Sequence, residues 1–279
     1  NAEPIFIDSE TETWNMCPLL LERAINDSLK INKKPKAIIL VHLYGMPAKI
    51  NEIKEISKKY DIPLIEDAAE ALGSNYDGIP LGTIGDFGIL SFNGNKIITT
   101  SGGGALISSS LEHSKKAKFL SSQAKENTIH YQHKEIGYNY RISNVLAAIG
   151  LGQIEQIDKK IKIRRKNFSL YKKYLKNIEE ISFLEEPLNF YSNRWITTIL
   201  VSSQNGFCKE KIIRNLRKNK IESRPIWKPM HLQPLYKKYK FYNNNSSEKL
   251  FNLGLCLPSG TTLTAVSYTH LTLPTTLQV

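Results

Sequence analysis

Residues 36–67 read KAIILVHLYGMPAKINEIKEISKKYDIPLIED. The run at 36–43 is short, apolar and rich in branched residues, which is typical of a buried strand. Residues 48–60 carry isoleucines at helical spacing with charged residues between them, which predicts an amphipathic helix. The apolar run at 62–65 predicts a second strand, which leads into Asp67. A strand, a helix and a strand within about thirty residues form a βαβ unit, so we expect an α/β fold with a mixed, mostly parallel sheet.

The rest of the chain divides into two parts. A long helix predicted at 144–176 is followed by a less regular alternation of strands and helices, which is typical of an α+β unit. We therefore predict a large domain at 1–155 and a smaller C-terminal α+β domain at 156–264. The further predicted elements are a helix at 210–219 and strands at 2–8, 87–92, 105–108, 194–201 and near 221–226.

Composition limits the class of protein. The chain has 279 residues, of which 41% are hydrophobic and 23% charged, a balance typical of a globular protein that buries a core. No apolar run approaches the roughly 18–20 residues that span a bilayer, and the first residues do not resemble a signal peptide. The cysteines, Cys17, Cys208 and Cys256, are widely scattered, so we expect a reducing, cytoplasmic location.

Both ends of the chain look atypical. It begins without a methionine, in what reads as a strand already under way. Residues 265–279 carry no charged side chain, although charged residues are frequent elsewhere. We expect this tail to be non-native sequence, such as translated adapter, and a genuine polar β-strand is the alternative.

Two residues stand out as candidates for chemistry. Asp67 follows a buried strand, at the edge where open α/β sheets bind their ligands, although an aspartate there also commonly caps a helix. Lys96 lies in a turn rich in Gly and Asn, next to a run of Thr, Ser and Gly at 99–104. A lysine whose pKa is lowered by its surroundings can form a Schiff base, whereas a solvated loop lysine is the ordinary alternative.

Together these residues match the needs of pyridoxal phosphate. Its ring nitrogen requires a carboxylate partner, its aldehyde requires a lysine, and its phosphate requires hydroxyl and backbone N–H groups. Asp67, Lys96 and Ser91, which lies on the strand just before that lysine, supply such parts from neighbouring elements. The residues thus point to pyridoxal phosphate as the cofactor.

Four groups of motifs, in this order, resemble the DegT/DnrJ/EryC1/StrS family of sugar aminotransferases. They are EDAAEALG at 66–73, GDFG at 85–88, SFNGNK at 91–96 with TTSGGG at 99–104, and GYNYR at 137–141. The resemblance runs from the first residue to about residue 264. It implies a fold-type-I pyridoxal-phosphate-dependent transferase, similar to aspartate aminotransferase.

The resemblance assigns roles to single residues. Lys96 matches the Schiff-base lysine, which would also move the proton between the cofactor's C4′ and the substrate carbon. Asp67 matches the partner of the pyridinium nitrogen, and Glu70 falls where the family contacts the ring near its 3′ oxygen. Ser91 matches a phosphate ligand. Asn139 matches a residue that reaches the phosphate from the neighbouring subunit, which implies a homodimer with shared active sites.

Three more residues lie where relatives approach the substrate. Arg141 is predicted to bind an anionic part of a substrate, with a structural ion pair as the alternative. Arg224 and His231 belong to the run RPIWKPMHLQ at 224–233 and are predicted to approach the nucleotide-sugar. A solvated arginine and a surface histidine fit these two positions as well.

Within the family, Glu70 and the run at 224–233 resemble bacterial enzymes that aminate C4 of a UDP-linked 4-keto-6-deoxy-N-acetylhexosamine, in the synthesis of bacillosamine. The resemblance implies glutamate as the amino donor. Amination at C3 of a dTDP- or UDP-linked keto sugar is the alternative. Because the family's large domain begins before this chain does, the resemblance also implies an N-terminally truncated chain that binds the cofactor poorly and is inactive alone.

Three other functions compete with this one. Nine basic residues between Lys159 and Lys176 could attract nucleic acid, but they lie on a predicted amphipathic helix with few aromatic residues, which favours a solvated face. A sugar dehydratase of the same fold would carry histidine in place of Lys96. A non-catalytic relative that binds only a cofactor or a partner is the third. The histidines show no metal-ligand arrangement, so we expect no metal. Because the basic helix is predicted to be a solvated face, we also expect no nucleic-acid partner.

Overall fold

The computed structural model describes residues 2–202 and 208–263. The α-helices in these ranges are α1 (Pro18–Lys30), α2 (Ile50–Tyr60), α3 (Leu111–Ser121), α4 (Asn144–Ile154), α5 (Ile157–Leu175), α6 (Lys209–Lys218) and α7 (Ser246–Leu253). The strands are β1 (Phe6–Ile7), β2 (Ile38–Val41), β3 (Leu64–Asp67), β4 (Asn75–Tyr76), β5 (Ile79–Pro80), β6 (Phe87–Ser91), β7 (Gly104–Ile107), β8 (Ile181–Phe183), β9 (Phe190–Tyr191), β10 (Thr197–Val201), β11 (Arg224–Pro225), β12 (Phe241–Tyr242) and β13 (Gly254–Leu257). The predicted tail at 265–279 lies outside the described residues.

The main sheet has the strand order β2-β3-β6-β7. Strands β2, β3 and β6 are parallel, and β7 is antiparallel to β6. Helix α2 connects β2 to β3 and buries Ile50 and Ile53 in one core with Leu40 and Leu64 of those strands. Isoleucines at helical spacing give α2 a single apolar face, and that face covers the sheet. The βαβ unit and the mostly parallel sheet predicted from the sequence are confirmed.

The carboxyl ends of β3 and β6 lie side by side. Because the two strands are parallel neighbours, Asp67 at the end of β3 is in register with Ile89, and β6 ends two residues later at Ser91. The turn after β6 carries Lys96. Open α/β sheets bind their ligands at this edge, so the fold brings the two predicted reactive residues to one place.

The C-terminal part of the chain forms an antiparallel sheet in the order β11-β13-β10-β8. Two small sheets join it to the earlier part: β9 extends the hairpin β4–β5, and β12 pairs with β1. The second part of the chain is therefore tied to the first by backbone hydrogen bonds. The division into domains at residue 155 stays a prediction.

The predicted helix at 144–176 is two helices. Gln156 leaves the helical backbone conformation, with φ −104° and ψ 7°, and separates α4 from α5. Its apolar residues also differ in burial, since Ile149 in α4 is 47% exposed whereas Ile161 in α5 is 4% exposed. Because α4 is apolar on all sides, its sequence pattern did not reveal which residues face the core.

Two predicted strands are shorter than expected. The strand predicted at 194–201 begins only at Thr197, because Arg194 adopts a left-handed φ of 51° and the N–H of Trp195 bonds to the side chain of Asn193. The strand predicted at 2–8 is reduced to Phe6–Ile7, and Pro4, two residues before Phe6, has no N–H to donate. In the first case the N–H of Trp195, and in the second the missing N–H of Pro4, makes no hydrogen bond to a neighbouring strand.

Helix α7 is capped by an aspartate from the other end of the chain. The buried carboxylate of Asp8 accepts the backbone N–H groups of Ser246 and Ser247, the first residues of α7, at 3.2 and 2.9 Å. It also accepts the N–H of Asn244 at 3.0 Å. Burial by itself would raise the pKa of Asp8, but hydrogen bonds from Ser247, Asn244 and Ser9 outweigh it and hold the pKa below its usual value.

We expect Asp8→Asn to lower the free energy of unfolding by about 1–3 kcal/mol at neutral pH, because each carboxylate oxygen accepts two backbone N–H groups and an amide nitrogen in place of either oxygen would leave two of them unpaired. The pKa of Asp8 is lower in the folded state than in the unfolded state. The stabilisation by the carboxylate is therefore present above the unfolded pKa and is lost as the pH falls through the folded pKa. Urea unfolding of both proteins near pH 7 and near pH 3 measures this, and a difference that does not shrink at the lower pH would contradict the assignment.

Candidate active site

Lys96 is partly enclosed. Its side chain, 14% exposed, places Nζ 3.7 Å from Oε1 of Glu70 and 4.3 Å from the centre of the Trp195 ring. The indole Nε1 of Trp195 donates a hydrogen bond of 2.8 Å to the carbonyl of Asn95, the residue before the lysine. Trp195 thus contacts both the charged end and the adjoining main chain of Lys96, and the alternative of a solvated loop lysine is wrong.

Glu70 faces this lysine with both carboxylate oxygens hydrogen-bonded. Oε2 accepts the backbone N–H of Tyr44 at 2.7 Å, and Oε1 accepts the indole N–H of Trp227 at 3.3 Å. Burial raises the pKa of Glu70, the nearby charge of Asp67 adds to the rise, and the N–H of Tyr44 and the charge of Lys96 oppose it. One lysine and two carboxyl groups therefore share a single electrostatic environment.

Asp67 ends β3 and points its carboxylate at a turn. Oδ1 accepts the backbone N–H of Ala69 at 3.1 Å. No helix follows the strand, so the alternative role as a helix cap is wrong, although the side chain does stabilise the turn at 68–73. The carboxylate keeps acceptor capacity for a further donor, as a pyridinium nitrogen would require.

Ser91 begins the turn that leads to Lys96. Its Oγ accepts the N–H of Asn93 in a long hydrogen bond of 3.4 Å. Thr99, in the hydroxyl-rich segment after the lysine, donates to the carbonyl of Phe92 at 3.2 Å. Hydroxyl groups thus flank the lysine on both sides in sequence and are held by the same turn.

Asn139 and Arg141 lie in a different setting. Both are exposed, in a segment where Arg141 donates to Oγ of Ser122 at 3.3 Å and Asn139 forms a bridge with the same residue. Within the described residues no ion pair involves Arg141, so the structural ion pair offered as its alternative role is absent there. Among residues 2–202 and 208–263, no contact places either residue against Lys96.

Arg224 and His231 have partners outside the group around Lys96. Arg224 forms an exposed ion pair of 2.6 Å with Glu222. The ring of His231 stacks on Phe241 with centroids 3.6 Å apart, and its Nε2 lies 3.1 Å from a carboxylate oxygen of Glu248. This packing excludes the surface-histidine alternative for His231, and the binding roles of both residues stay predictions.

The lysines and the arginines of the basic run on α5 have different environments. Its lysines are mostly exposed, whereas Arg164 donates to the backbone carbonyls of Trp195 and Ser259, and Arg165 forms an ion pair with Glu186. Burial lowers the pKa of Arg164 to about 10. The two arginines therefore bind the C-terminal sheet and its loops rather than face solvent.

Asn193 was not singled out from the sequence, yet it joins the partners of Lys96. It is fully buried, its amide nitrogen donates to the carbonyls of Glu70 and Leu72, each at 2.9 Å, and its Oδ1 accepts the N–H of Trp195 at 2.8 Å. A Cβ on Gly45 would lie 2.0 Å from this Oδ1, so only glycine fits there. Sequence spacing does not indicate the contact with Glu70 and Leu72, because these residues precede Asn193 by 123 and 121 positions.

A buried histidine and glutamate, also missed, fix the end of β3. Nδ1 of His42 accepts the N–H of Ala48 at 3.0 Å, so the ring donates from Nε2 to Glu66 at 3.1 Å. The other hydrogen bonds to Glu66 come from the N–H groups of Gly82, Ile84 and Gly85. Burial tends to raise the pKa of Glu66, but these hydrogen bonds hold it below its usual value. The residue next to Asp67 is thereby anchored in the core.

The groups present fit the binding of pyridoxal phosphate. A carboxylate with spare acceptor capacity ends one strand, a partly enclosed lysine follows the next, and hydroxyl groups flank that lysine. These are the three kinds of group that the ring nitrogen, the aldehyde and the phosphate need. Within residues 2–202 and 208–263, no three His, Cys, Asp or Glu side chains come together as metal ligands. In the same ranges, no helix is both long and apolar enough to cross a bilayer.

Known proteins agree with this arrangement. A putative pyridoxal phosphate-dependent aminotransferase, EpsN of Bacillus subtilis, is 48% identical over 267 residues, which cover 94% of this chain and 68% of the relative. GDP-perosamine synthase of Escherichia coli O157:H7 is 37% identical over 92% of this chain and 68% of its own length. The crystal structure of a DegT DnrJ EryC1 StrS aminotransferase from Brucella abortus superposes with a TM-score of 0.89 at 28% identity, over 98% of this chain and 73% of that one.

These similarities test the predictions made from the motifs. The predicted fold class, the enzyme class of a pyridoxal-phosphate-dependent sugar aminotransferase, and the cofactor are confirmed. The profile of the DegT/DnrJ/EryC1/StrS aminotransferase family matches residues 1–271, nearly the whole chain. The chain is a member of the DegT/DnrJ/EryC1/StrS aminotransferase family.

Proposed function

We propose that the protein transfers the amino group of glutamate to the C4 keto group of a UDP-linked 4-keto-6-deoxy-N-acetylhexosamine, in the synthesis of a bacillosamine-type glycan. The observation that carries the reaction class is the position of Lys96, beside Glu70 and at the same sheet edge as Asp67. The choice of acceptor rests on the resemblance of Glu70 and of the run at 224–233 to enzymes of that specificity.

Each residue of the site has a task in this proposal. Pyridoxal phosphate supplies an aldehyde and an electron-withdrawing ring. Lys96 holds the aldehyde carbon and moves the proton at the reacting carbon, while Asp67 keeps the ring nitrogen protonated. Glu70 orients the lysine and the ring edge, and Ser91 binds the phosphate. These roles need the lysine to be partly enclosed and next to a carboxylate, as it is.

A homodimer with shared active sites belongs to the proposal. What supports it is a set of exposed apolar side chains on α3, on α4 and between these helices, in the same part of the chain as Asn139 and Arg141. The set comprises Leu111, Ile129, Tyr131, Ile136, Tyr138, Tyr140, Val145, Ile149, Leu151 and Ile154. A second copy that covered these side chains would bring Asn139 towards a cofactor phosphate and Arg141 towards an anionic substrate. We further propose that Arg224 and His231 approach the nucleotide-sugar and that the protein is cytoplasmic.

A GDP-linked 4-keto sugar is a second candidate acceptor. The similarity to GDP-perosamine synthase, at 37% identity over 258 residues, favours it. The amination of C3 in a dTDP- or UDP-linked sugar remains the third. All three share the site around Lys96 and differ only in how the nucleotide and the hexose are bound.

A substrate panel separates these acceptors. The full-length protein to which this chain is proposed to belong, saturated with pyridoxal phosphate and supplied with glutamate, is incubated with UDP-, GDP- and dTDP-linked keto sugars, and 2-oxoglutarate and amino sugar are measured. We expect the highest kcat/KM for the UDP-linked 4-keto-N-acetyl sugar, with the new amine at C4 by NMR. A higher kcat/KM for the GDP-linked sugar would overturn the acceptor but not the reaction class.

Weak cofactor binding by this chain alone is a separate prediction. Equilibrium dialysis with pyridoxal phosphate tests it. Tight binding and turnover by the chain as it stands would contradict the expectation of an incomplete site, and would leave the proposed reaction unchanged.

A further inference from the structure

Tyr44, Glu70 and Trp227 are distant in sequence but form a closed ring of hydrogen bonds, which includes the Glu70 carboxylate beside Lys96. The backbone N–H of Tyr44 donates to Oε2 of Glu70 at 2.7 Å, and the indole N–H of Trp227 donates to Oε1 at 3.3 Å. The ring is closed by the hydroxyl of Tyr44, which accepts the backbone N–H of Trp227 at 2.8 Å. Each member holds the other two.

Tyr44 has the backbone of a strained residue. Its φ is 57° and its ψ 18°, in the left-handed region, which is costly for a residue with a bulky side chain. The side chain is nevertheless 2% exposed and packs at 5.5 Å from the ring of Trp227. Such strain persists only where the surroundings fix the conformation, and it is commonly found at functional sites.

In this ring of hydrogen bonds, the ammonium group of Lys96 and the indole N–H of Trp227 both approach Oε1 of Glu70. Oε1 of Glu70 lies 3.3 Å from Nε1 of Trp227 and 3.7 Å from Nζ of Lys96. A close ion pair between an ammonium and a carboxylate has a distance of about 2.7–2.9 Å, so this one is held open. An amine must lose its proton to attack a carbonyl, and a tight ion pair would keep that proton in place.

We propose that Tyr44 and Trp227 are positioning residues, which hold Glu70 so that it stays near Lys96 without closing a tight ion pair that would suppress the reactivity of the amine. In this proposal they act through Glu70; the ring of Trp227 also lies 6.4 Å from that of Trp195, and replacement of Glu70 separates the two routes. The inference rests on the proposed role of Lys96 as the residue that carries the cofactor, but the geometry concerns the chain by itself and can be tested without a cofactor.

Competitive acetylation provides the test. The full chain, free of cofactor, is labelled with trace acetic anhydride at neutral pH, and the rate at Lys96 relative to the exposed lysines is measured by peptide mass spectrometry. We expect Trp227→Phe to lower this relative rate about tenfold, because Oε1 is then left to the lysine alone. Tyr44→Phe, which removes only the hydroxyl that anchors Trp227, should lower the rate in the same direction by a smaller factor.

Rescue distinguishes positioning from a general loss of structure. Glu70→Gln removes the charge that would hold the lysine, so the double variant Trp227→Phe/Glu70→Gln should react as fast as Glu70→Gln alone. Tyr171→Phe is the matched control, because it removes a buried tyrosine hydroxyl that donates to the carbonyl of Pro258 at 2.8 Å, away from the ring. Its acetylation rate should equal that of the wild type.

Several results would overturn the proposal. Unchanged Lys96 reactivity in Trp227→Phe and Tyr44→Phe, with both proteins folded by circular dichroism, is one of them. A double variant that stays slow is another, because the effect would then not pass through Glu70. If Trp227→Phe does not fold, Tyr44→Phe with and without Glu70→Gln decides the question. Failure of pyridoxal phosphate to attach to Lys96 is measured separately, by borohydride trapping, and bears on the proposed function alone.

Discussion

In the full-length protein to which this chain is proposed to belong, replacement of Lys96 by alanine is expected to abolish the covalent attachment of pyridoxal phosphate and all transamination. The amine is the group proposed to hold the cofactor aldehyde and to move the proton, and no other lysine lies beside Glu70 and Trp195 in the described residues. Borohydride reduction followed by peptide mapping should find the cofactor on Lys96 in the wild type and nowhere specific in the variant. Glutamate-dependent formation of 2-oxoglutarate should fall to background.

Lys209→Ala is the matched control for this experiment. Lys209 is also buried, donates to the carbonyl of Phe251 and lies 5.0 Å from the centre of that ring. It therefore resembles Lys96 in burial and in its aromatic contact but lies away from Glu70. Attachment of the cofactor should persist in Lys209→Ala. Retained turnover in Lys96→Ala would refute the assignment of the catalytic lysine.

Asn193→Asp is expected to lower the free energy of unfolding by about 3–5 kcal/mol at neutral pH, the range for an unpaired buried charge. The amide donates to the carbonyls of Glu70 and Leu72, and a carboxylate would set an oxygen against both. With about 2–4 °C per kcal/mol for a protein of this size, the melting temperature should fall by roughly 10 °C. Thermal unfolding followed by circular dichroism measures the change.

The pH dependence of the free energy of unfolding of Asn193→Asp tests whether the charge of the buried carboxylate causes the destabilisation. The new carboxyl is expected to have a higher pKa in the folded state than in the unfolded state, because burial and two carbonyl oxygens disfavour its charge. Folding then binds a proton, so the destabilisation is largest above the folded pKa and decreases as the pH falls below it. Asn26→Asp is the control: its exposed Oδ1 accepts the hydroxyl of Tyr60 at 2.9 Å, a role that a carboxylate keeps. Equal destabilisation by Asn193→Asp and Asn26→Asp would rule out the burial of a charge as the cause.

The local elements of the main sheet could be predicted because their cause is local. Residues 36–67 contain two short apolar runs and, between them, isoleucines at helical spacing, and this local pattern requires only that one face of α2 covers a sheet. The break between α4 and α5 could not be predicted in the same way. A helix that is apolar on every side carries no sign of which side is buried, and Ile149 proved to be exposed.

The candidate site was predicted in its chemistry but not in its geometry. Asp67 and Lys96 could be recognised because a carboxylate and a lysine at successive strand ends are what the cofactor needs. Trp195, Trp227 and Asn193 could not, because each touches the site across about a hundred residues of chain or more. Tryptophan is rare in this sequence, with three in 279 residues, and that rarity was the one available signal.

By itself the sequence determined the βαβ unit and, through its motifs, the family, and it proposed Asp67 and Lys96 as the reactive pair. These depend on residue type and short spacing, which act within a few turns or strands. Only the tertiary structure decided that Glu70 lies between Lys96 and Trp227, that Tyr44 is held in a left-handed conformation, and that Asp8 caps α7. The reason is physical: hydrogen bonds between distant segments form only after a shared core has brought those segments together, and no local pattern records their partners.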